Sequence, residues 1–185
     1  MPRPVERSDI VDHATYRELR PAFRERILAI KALRRIHLGE HLTFLFENRD
    51  TIRYQIQEMM LAEKIVKEAA IRHEIDTYNG LLGGPGEIGC SLLIEIDDPA
   101  DRRRKLGKWL DLPRHVYVSL EGGERAYARF DPDQVGEDRL SAVQYLKFDT
   151  TGRVPVAVGS DFPPLTEETA LTPEQRDALR RDLED

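Results

Sequence analysis

The chain has 185 residues, of which 40% are hydrophobic, so it is long enough for one well-buried domain and too apolar to be disordered. A formal net charge of −6 argues against a general nucleic-acid-binding protein. The single cysteine, Cys90, excludes an internal disulfide and a cysteine-based zinc or iron–sulfur site, and it indicates a reducing compartment.

The two ends of the chain differ in charge and show no membrane signal. Residues 1–40 hold nine basic against six acidic side chains, whereas residues 161–185 hold three against eight. The acidic tail is either a solvated end or a segment that docks on a basic face of its own chain or of a partner. No apolar signal region opens the chain and no apolar run approaches the ~20 residues of a membrane span, so we expect a cytoplasmic protein.

The N-terminal segment predicts a loose arm followed by a short helix. Residues 1–8 have no periodic apolar pattern and form the expected arm. Pro21 suits the first turn of a helix over residues 22–32, in which Ile27 and Ile30 recur at helical spacing.

A β-hairpin is predicted next, because the apolar residues of segment 34–48 alternate. Five of the six apolar residues occupy even positions: Ile36, Leu38, Leu42, Phe44 and Phe46. A three-residue loop over 39–41 pairs Leu38 with Leu42 and Ile36 with Phe44, which keeps the apolar set on one face. A two-residue turn would split that set, so the sequence predicts the longer loop.

The longest predicted helix follows the hairpin and runs to about residue 78. Either Asn48 or Asp50 suits its N-cap. Its apolar stripe comprises Ile52, Ile56, Met59, Met60, Val66 and Ala70.

Two carboxylates, Glu63 and Glu74, fall inside this apolar stripe. An unpaired carboxylate is costly to bury, so their position is unexpected. Lys67 follows Glu63 by four residues and is a suitable partner for it on a helix.

The second half of the chain predicts one more strand, a helix and then several strands. A glycine-rich loop over 80–86 matches neither a Walker A loop nor a dinucleotide fingerprint, and we expect a mobile loop that could close over the helix. The predicted strands cover residues 91–96, 115–120, 125–130, 141–148 and 154–158, the last at a sheet edge because it contains Pro155. Asp98 is the expected N-cap of a helix that ends near residue 112, and Pro173 opens a final helix.

This order of elements predicts an α+β fold, with a mainly antiparallel sheet packed on one long central helix and short flanking helices. We expect a single domain over residues 1–185, in which residues 1–8 and about 162–185 are peripheral. Two subdomains divided near residue 88 are the alternative.

Several motifs resemble the bacterial family of domain of unknown function number 3501. They are Tyr16, Arg20-Pro21-x-Phe23-Arg24, Leu38-Gly39, Phe46-Glu47-Asn48-Arg49-x-Thr51, Gln55-x-Gln57-Glu58-Met59, Tyr78-Asn79 and the run from Ser141 to Leu146. The resemblance covers about residues 9–160, and the piece from Phe46 to Met59 is its most specific part. It implies a bacterial protein encoded near rubrerythrin-like and iron–sulfur proteins, hence an oxidative-stress context with those proteins as partners. The resemblance assigns no activity and no cofactor.

The junction between the hairpin and the long helix is the predicted ligand site. A helix N-terminus offers free N–H groups and partial positive charge to an anion, and arginines cluster around this one. The candidate anion-binding or ligand-binding residues are Arg34, Arg35, Glu47, Asn48, Arg49 and Arg53. The alternative is that Glu47 and Asn48 cap the helix while the arginines pair with Glu47, Glu58 and Glu63.

Three functional hypotheses remain open from the sequence. The first is an accessory or binding protein that recognises a partner or a small anion. The second is an enzyme that uses Glu63 or Glu74 as a general acid or base on a small anionic substrate. The third and weakest is a metal-binding domain, built from His41 with Glu47, Glu58 or Glu63. Homodimerisation through the helix or an edge strand is compatible with all three.

Overall fold

The computed structural model describes residues 3–184 and contains two four-stranded antiparallel sheets with five α-helices. The helices are α1 (His13–Ala32), α2 (Arg49–Glu63), α3 (Glu68–Asn79), α4 (Pro99–Lys108) and α5 (Pro173–Glu184). The strands are β1 (Arg35–Leu38), β2 (Leu42–Phe46), β3 (Glu87–Ile94), β4 (Val116–Ser119), β5 (Arg125–Tyr127), β6 (Val143–Asp149), β7 (Ala157–Phe162) and β8 (Leu165–Ala170). The first sheet has the order β1-β2-β3-β6 and the second has the order β5-β4-β7-β8. The predicted α+β class is confirmed.

The β1–β2 hairpin has the predicted register. Leu38 lies opposite Leu42 and Ile36 lies opposite Phe44, so the three-residue loop is confirmed. Gly39 opens the loop at φ 59°, in the left-handed region that glycine adopts without steric cost. The even-numbered side chains therefore share the face that turns towards the second sheet.

The main core lies between the two sheets. Phe44, Phe46 and Phe148 of the first sheet are fully buried, with ring centroids 6.3 to 6.4 Å apart. Val118 and Val158 of the second sheet belong to the same apolar cluster. β2 pairs with β3, so the first sheet continues across residue 88, where a subdomain boundary was the alternative.

The predicted long helix is wrong, because the structure divides it into α2 and α3. Lys64 ends α2 in the left-handed conformation at φ 54°, and the N–H of Ile65 donates to the carbonyl of Met60. Val66, expected on the apolar stripe, is 71% exposed in the connection. The predicted N-cap is confirmed at Asn48, whose side chain accepts from the N–H of Thr51.

These helices are also not central. Ile52, Ile56 and Met60 of α2 form a second apolar cluster with Ile71 and Ile75 of α3. This cluster is separate from the one between the sheets. The helical layer therefore lies outside the two-sheet core instead of being wrapped by one sheet.

The first helix starts much earlier than predicted. Asp12 caps α1 by accepting from the N–H groups of Ala14 and Thr15, and Pro21 lies inside the helix instead of in its first turn. Pro21 removes one helical hydrogen bond, but it is exposed, so water reaches the carbonyl that loses its partner. The helix therefore starts at the cap formed by Asp12 and not at Pro21, where the sequence predicted its first turn.

Both terminal segments expected to be peripheral contribute buried side chains. Val5 is buried, and its N–H and carbonyl both bond the side-chain amide of Asn79. Ala178 and Leu179 of α5 are fully buried, and Leu179 joins the main core.

The last two strands differ from the sequence prediction. β7 is an interior strand that starts after Pro155, so that proline does not mark an edge. The edge strand next to it is β8, which the sequence did not indicate because its side chains are mostly polar and exposed.

The glycine-rich loop is packed against β3. A side chain at Gly83 would overlap the backbone of Glu87, and one at Gly89 would overlap the carbonyl of Leu81. Leu82, within the loop, is buried. The loop is therefore a packed wall instead of the mobile lid that its glycines suggested.

Candidate functional site

A cavity of about 290 Å³ lies on the outer face of the first sheet, where the helical layer meets the strands. Strand alternation sends odd-numbered side chains to this face, opposite to the even-numbered core set. Leu45, Ser91 and Tyr145 lie directly across from one another on β2, β3 and β6, and all three line the cavity. Ile52 and Gln55 of α2 line the helical side.

Glu47 is the carboxylate of this cavity. It follows β2 directly, and its two oxygens accept hydrogen bonds from separate hydroxyls. Thr51 Oγ1 donates to Oε2 at 2.5 Å and Ser91 Oγ donates to Oε1 at 2.6 Å. Two hydroxyl donors hold the carboxylate in one orientation.

Lys31 and Arg35 are the cations of this cavity, and both are partly buried. Lys31 lies in the last turn of α1, with Nζ 5.1 Å from the centroid of the Tyr54 ring. Burial lowers the pKa of Lys31, and the negative charge of Glu47 opposes this shift only in part. Within residues 3–184, neither Lys31 nor Arg35 has a carboxylate within 4 Å.

Aromatic and aliphatic side chains form the rest of the wall. Tyr78 and Tyr145 face the cavity together with Leu81, Leu93 and Val143. Burial, followed by the neighbouring Tyr78 and Glu47, raises the pKa of Tyr145. The cavity thus combines two cations and one carboxylate with an apolar surface, an arrangement that suits an organic anion better than a bare ion.

Only Arg35 and Glu47 of the predicted anion-binding residues reach this cavity. Arg34 is 6% exposed and forms a two-pronged ion pair with Asp182 of α5, at 2.7 and 2.8 Å. The side-chain amide of Asn48 donates to the same carboxylate at 3.1 Å. The acidic tail therefore docks on a basic face of its own chain, which was one of the sequence alternatives.

Arg49 and Arg53 are held by the N-terminal arm. Arg49 Nη2 lies 2.5 Å from Asp9 Oδ2, and Arg53 Nε donates to the Asp9 carbonyl at 2.8 Å. The Arg53 guanidinium also lies 5.0 Å from the centroid of the Phe23 ring. The structure therefore does not bring all these arginines to one place, because distant segments of the chain pair with most of them.

The premise for Glu63 and Glu74 as catalytic residues is also wrong. Glu63 is exposed at the end of α2, and Glu74 is only partly buried on α3. Neither residue lines the cavity. The break at Lys64 ends the apolar stripe, so neither carboxylate is enclosed by apolar side chains as the single-helix prediction required.

The proposed metal ligands lie in separate hydrogen-bond networks. His41 Nε2 faces Lys105 Nζ at 2.8 Å, whereas Glu58 pairs with Arg20 and Glu47 accepts from Thr51 and Ser91. Among the described residues, no three His, Cys, Asp or Glu side chains come together as metal ligands.

Cys90 is buried in the main core, and burial, with a smaller effect of Glu47, raises the pKa of its thiol.

Several residues of the long motif anchor the scaffold instead of forming a site. Gln57 bonds both the N–H and the carbonyl of Val11 through its amide. Glu58 accepts from Tyr16 Oη at 2.6 Å and from Arg20 at 2.7 and 2.8 Å. The pairing with Arg20 lowers the pKa of Glu58 and fastens α1 to α2.

Sequence reasoning did not assign six polar residues of the cavity to the site: Lys31, Thr51, Gln55, Tyr78, Ser91 and Tyr145. Ser91 and Tyr145 lie at odd positions of β3 and β6, in alternation with even positions that are mostly apolar. That alternation could have identified the outer face, but only the sheet order and register bring the two residues together.

The fold and cavity define a class of α+β protein with two facing antiparallel sheets and a helix-covered outer face. The family described as "Protein of unknown function (DUF3501)" matches residues 4–183, and the chain belongs to that family. The family resemblance seen in the sequence is therefore confirmed.

A crystal structure of a "novel protein of unknown function" from Burkholderia pseudomallei K96243 is similar over nearly its whole length. The two chains share 28% sequence identity with a TM-score of 0.89, and the match covers 98% of this chain and 100% of the other. The comparison with curated proteins gave no match. Within the described part of the chain, no helix combines the length and the apolarity that a bilayer crossing requires.

Proposed function

We propose that this protein binds a small organic monoanion in the cavity formed by Lys31, Arg35 and Glu47. The observation that supports the proposal is the balance of charge in the cavity lining. Two cations face one carboxylate there, so one positive charge has no counterpart among the lining residues. A carboxylate ligand would supply the missing negative charge and accept charge-assisted hydrogen bonds from the two cations.

Partial burial makes such an ion pair stronger than it would be on the open surface. The lowered pKa of Lys31 reflects the loss of solvent around its ammonium group. A bound carboxylate would offset that loss, because an opposite charge nearby favours the protonated lysine. The apolar wall would contact the rest of the ligand, while Gln55 offers an amide for orientation.

The family resemblance supports an accessory role for this binding protein in an oxidative-stress context. Rubrerythrin-like or iron–sulfur proteins are the partners that we propose on that basis. Co-purification of these proteins with the full chain from bacteria exposed to peroxide would test the association. If these proteins did not co-purify, the partner proposal would be wrong. The ligand-binding proposal would be unaffected, since the two proposals rest on different observations.

The ligand-binding proposal is tested by titrating the protein with hexanoate and with hexanamide, its neutral counterpart, by calorimetry. We expect hexanoate to bind and hexanamide to bind much more weakly. Arg35→Gln should reduce the affinity for hexanoate about 10- to 100-fold, since hydrogen bonds to charged groups contribute roughly 1.5–3 kcal/mol.

The matched control is Arg17→Gln, which removes the same charge from an exposed position on α1 that does not line the cavity. Its affinity for hexanoate should stay within about twofold of the original chain, because exposed charges act weakly over distance. Equal binding of hexanoate by the Arg35 variant and the original chain would contradict the proposal.

A further inference from the structure

An open groove of about 500 Å³ adjoins the cavity and shares two of its walls, Leu81 and Tyr145. Gly80, Phe130 and Leu146 contribute to the groove beyond those shared residues. Tyr145 is 44% exposed, so it stands at the boundary with solvent instead of being enclosed in the protein. The cavity is therefore one end of a longer depression.

β6 forms a continuous track along this depression. Val143 lines the cavity, Tyr145 lines both spaces and Lys147 lines the groove. These are alternate residues of one strand, so their side chains point to the same face. At about 3.3 Å per residue, the track from Val143 to Lys147 is roughly 13 Å long.

The backbone edge of β6 is already occupied along this track. The Gln134 side chain bonds the N–H and the carbonyl of Tyr145 at 2.8 and 2.9 Å. The backbone of Arg129 exchanges two bonds of 2.8 Å with that of Lys147. An added peptide strand would find these groups already paired, so a ligand in the groove must contact side chains.

The groove offers apolar surface without an excess of charge. Its lining holds two basic side chains, Arg129 and Lys147, and one carboxylate, Asp131, and the charge of Arg129 is balanced by Glu87 outside the lining. Arg129 pairs directly with Glu87. Leu81 and Phe130, which are both only partly buried, provide the apolar surface that an uncharged chain would cover.

We propose that the ligand is an elongated carboxylate with an unbranched apolar chain. Its carboxylate lies at Lys31 and Arg35, and its chain passes Tyr145 into the groove beside Phe130. This inference rests on the proposed function, because it uses the same cations to hold the head group. It adds the class of ligand, a medium- or long-chain aliphatic acid.

The cavity volume sets the length at which the groove becomes necessary. At about 30 Å³ for each group of the size of a water molecule, 290 Å³ holds about ten such groups. Shorter chains are contained within the cavity, whereas longer ones must extend past Tyr145. Affinity should therefore continue to rise with chain length beyond about ten carbons.

The experiment is a calorimetric series of straight-chain carboxylates with six to fourteen carbons, each below its micellar concentration. We expect affinity to increase up to about fourfold per methylene, including the steps beyond ten carbons. Alkylamines of the same lengths serve as controls for unspecific apolar binding and should bind at least tenfold more weakly. A plateau beyond ten carbons, or equal binding of the amines, would overturn the inference.

Two further measurements locate the aliphatic part of the ligand. Phe130→Asp should reduce the affinity for the fourteen-carbon acid at least tenfold and leave that for the six-carbon acid within about twofold, while Phe130→Leu should retain both. In the original chain, the terminal methyl of the fourteen-carbon acid should show nuclear Overhauser contacts to the Phe130 ring. Absence of these contacts would contradict the inference even if the aspartate variant failed to fold.

The outcomes separate the two proposals. If no carboxylate of any length binds, the proposed function itself is wrong. If the six-carbon acid binds with the expected dependence on Arg35 but longer chains gain nothing, only the extension into the groove is wrong.

Discussion

Lys31 sets the electrostatic character of the cavity because it is a partly buried cation without a carboxylate partner among the described residues. Burial has the largest effect on its pKa and lowers it. The negative charge of Glu47 has the next largest effect and raises the pKa, and the positive charge of Arg35 lowers it further. The carboxylate of Glu47 already accepts hydrogen bonds from the hydroxyls of Thr51 and Ser91. In the proposed function, a bound anion would be the counterpart that Lys31 lacks.

This balance predicts the pH dependence of ligand binding. Because the pKa of Lys31 lies below its ordinary 10.5, the ammonium deprotonates at a lower pH than an exposed lysine. Affinity for hexanoate should fall as the pH rises through that pKa, and calorimetry from pH 7 to 10.5 measures the change. The raised pKa of Tyr145 keeps its phenol protonated over most of this range.

Lys31→Met is the control for this prediction. The variant should bind hexanoate more weakly at pH 7, and its affinity should vary much less over the same interval. A variant that retained the full pH dependence would show that another group is responsible.

At the scale of elements, the break between α2 and α3 decides where the helical layer lies. Lys64 ends α2 in the left-handed conformation, which costs an L-residue roughly 1–2 kcal/mol. The sequence gives no glycine or proline here, which explains why periodicity predicted one continuous helix. Local propensity was overridden by the packing of Ile71 and Ile75 against α2.

The strain at this helix end gives a stability prediction. Lys64→Gly should raise the free energy of unfolding by about 0.5–1 kcal/mol. Glycine adopts the left-handed region without the steric cost, and its greater flexibility in the unfolded state offsets only part of that gain. Chemical denaturation measures the change. Lys64→Ala retains a Cβ and should give no such gain, so equal effects of the two substitutions would refute the explanation.

At the scale of the whole molecule, the C-terminal helix closes the fold against the first strand. Asp182 bonds Arg34, 148 residues earlier in the chain, and also the amide of Asn48 at the start of α2. Side-chain exposure is 7% for Arg34 and 10% for Asp182, so neither charge has much water around it. One contact therefore joins the helical layer, the first sheet and the tail.

Removing one partner of this ion pair should be strongly destabilising. Asp182→Ala leaves the Arg34 cation buried without its partner, and we expect a loss of about 3 kcal/mol in the free energy of unfolding. Chemical denaturation at pH 7 measures it. Asp177→Ala, on the same helix, removes an exposed pair with Arg180 and should change stability by less than about 0.5 kcal/mol. Similar effects of the two substitutions would contradict this role for Asp182.

The sequence by itself determined the elements with strong local patterns. The hairpin register followed from the alternation between Ile36 and Phe46, the α2 cap from Asn48, and the family from the motif between Phe46 and Met59. These features depend on residues close in sequence, where one pattern is much more stable than its alternatives.

Only the tertiary structure decided which polar residues form the cavity. Lys31, Ser91 and Tyr145 come from α1, β3 and β6, and Glu47 comes from the connection between β2 and α2. Their meeting depends on sheet order and on the position of the helical layer. Neighbouring arginines were instead paired with Asp9 and Asp182 from opposite ends of the chain. Charge clustering in sequence indicates where cations lie, but the removal of water and the approach of distant carboxylates decide which of them remain available to a ligand.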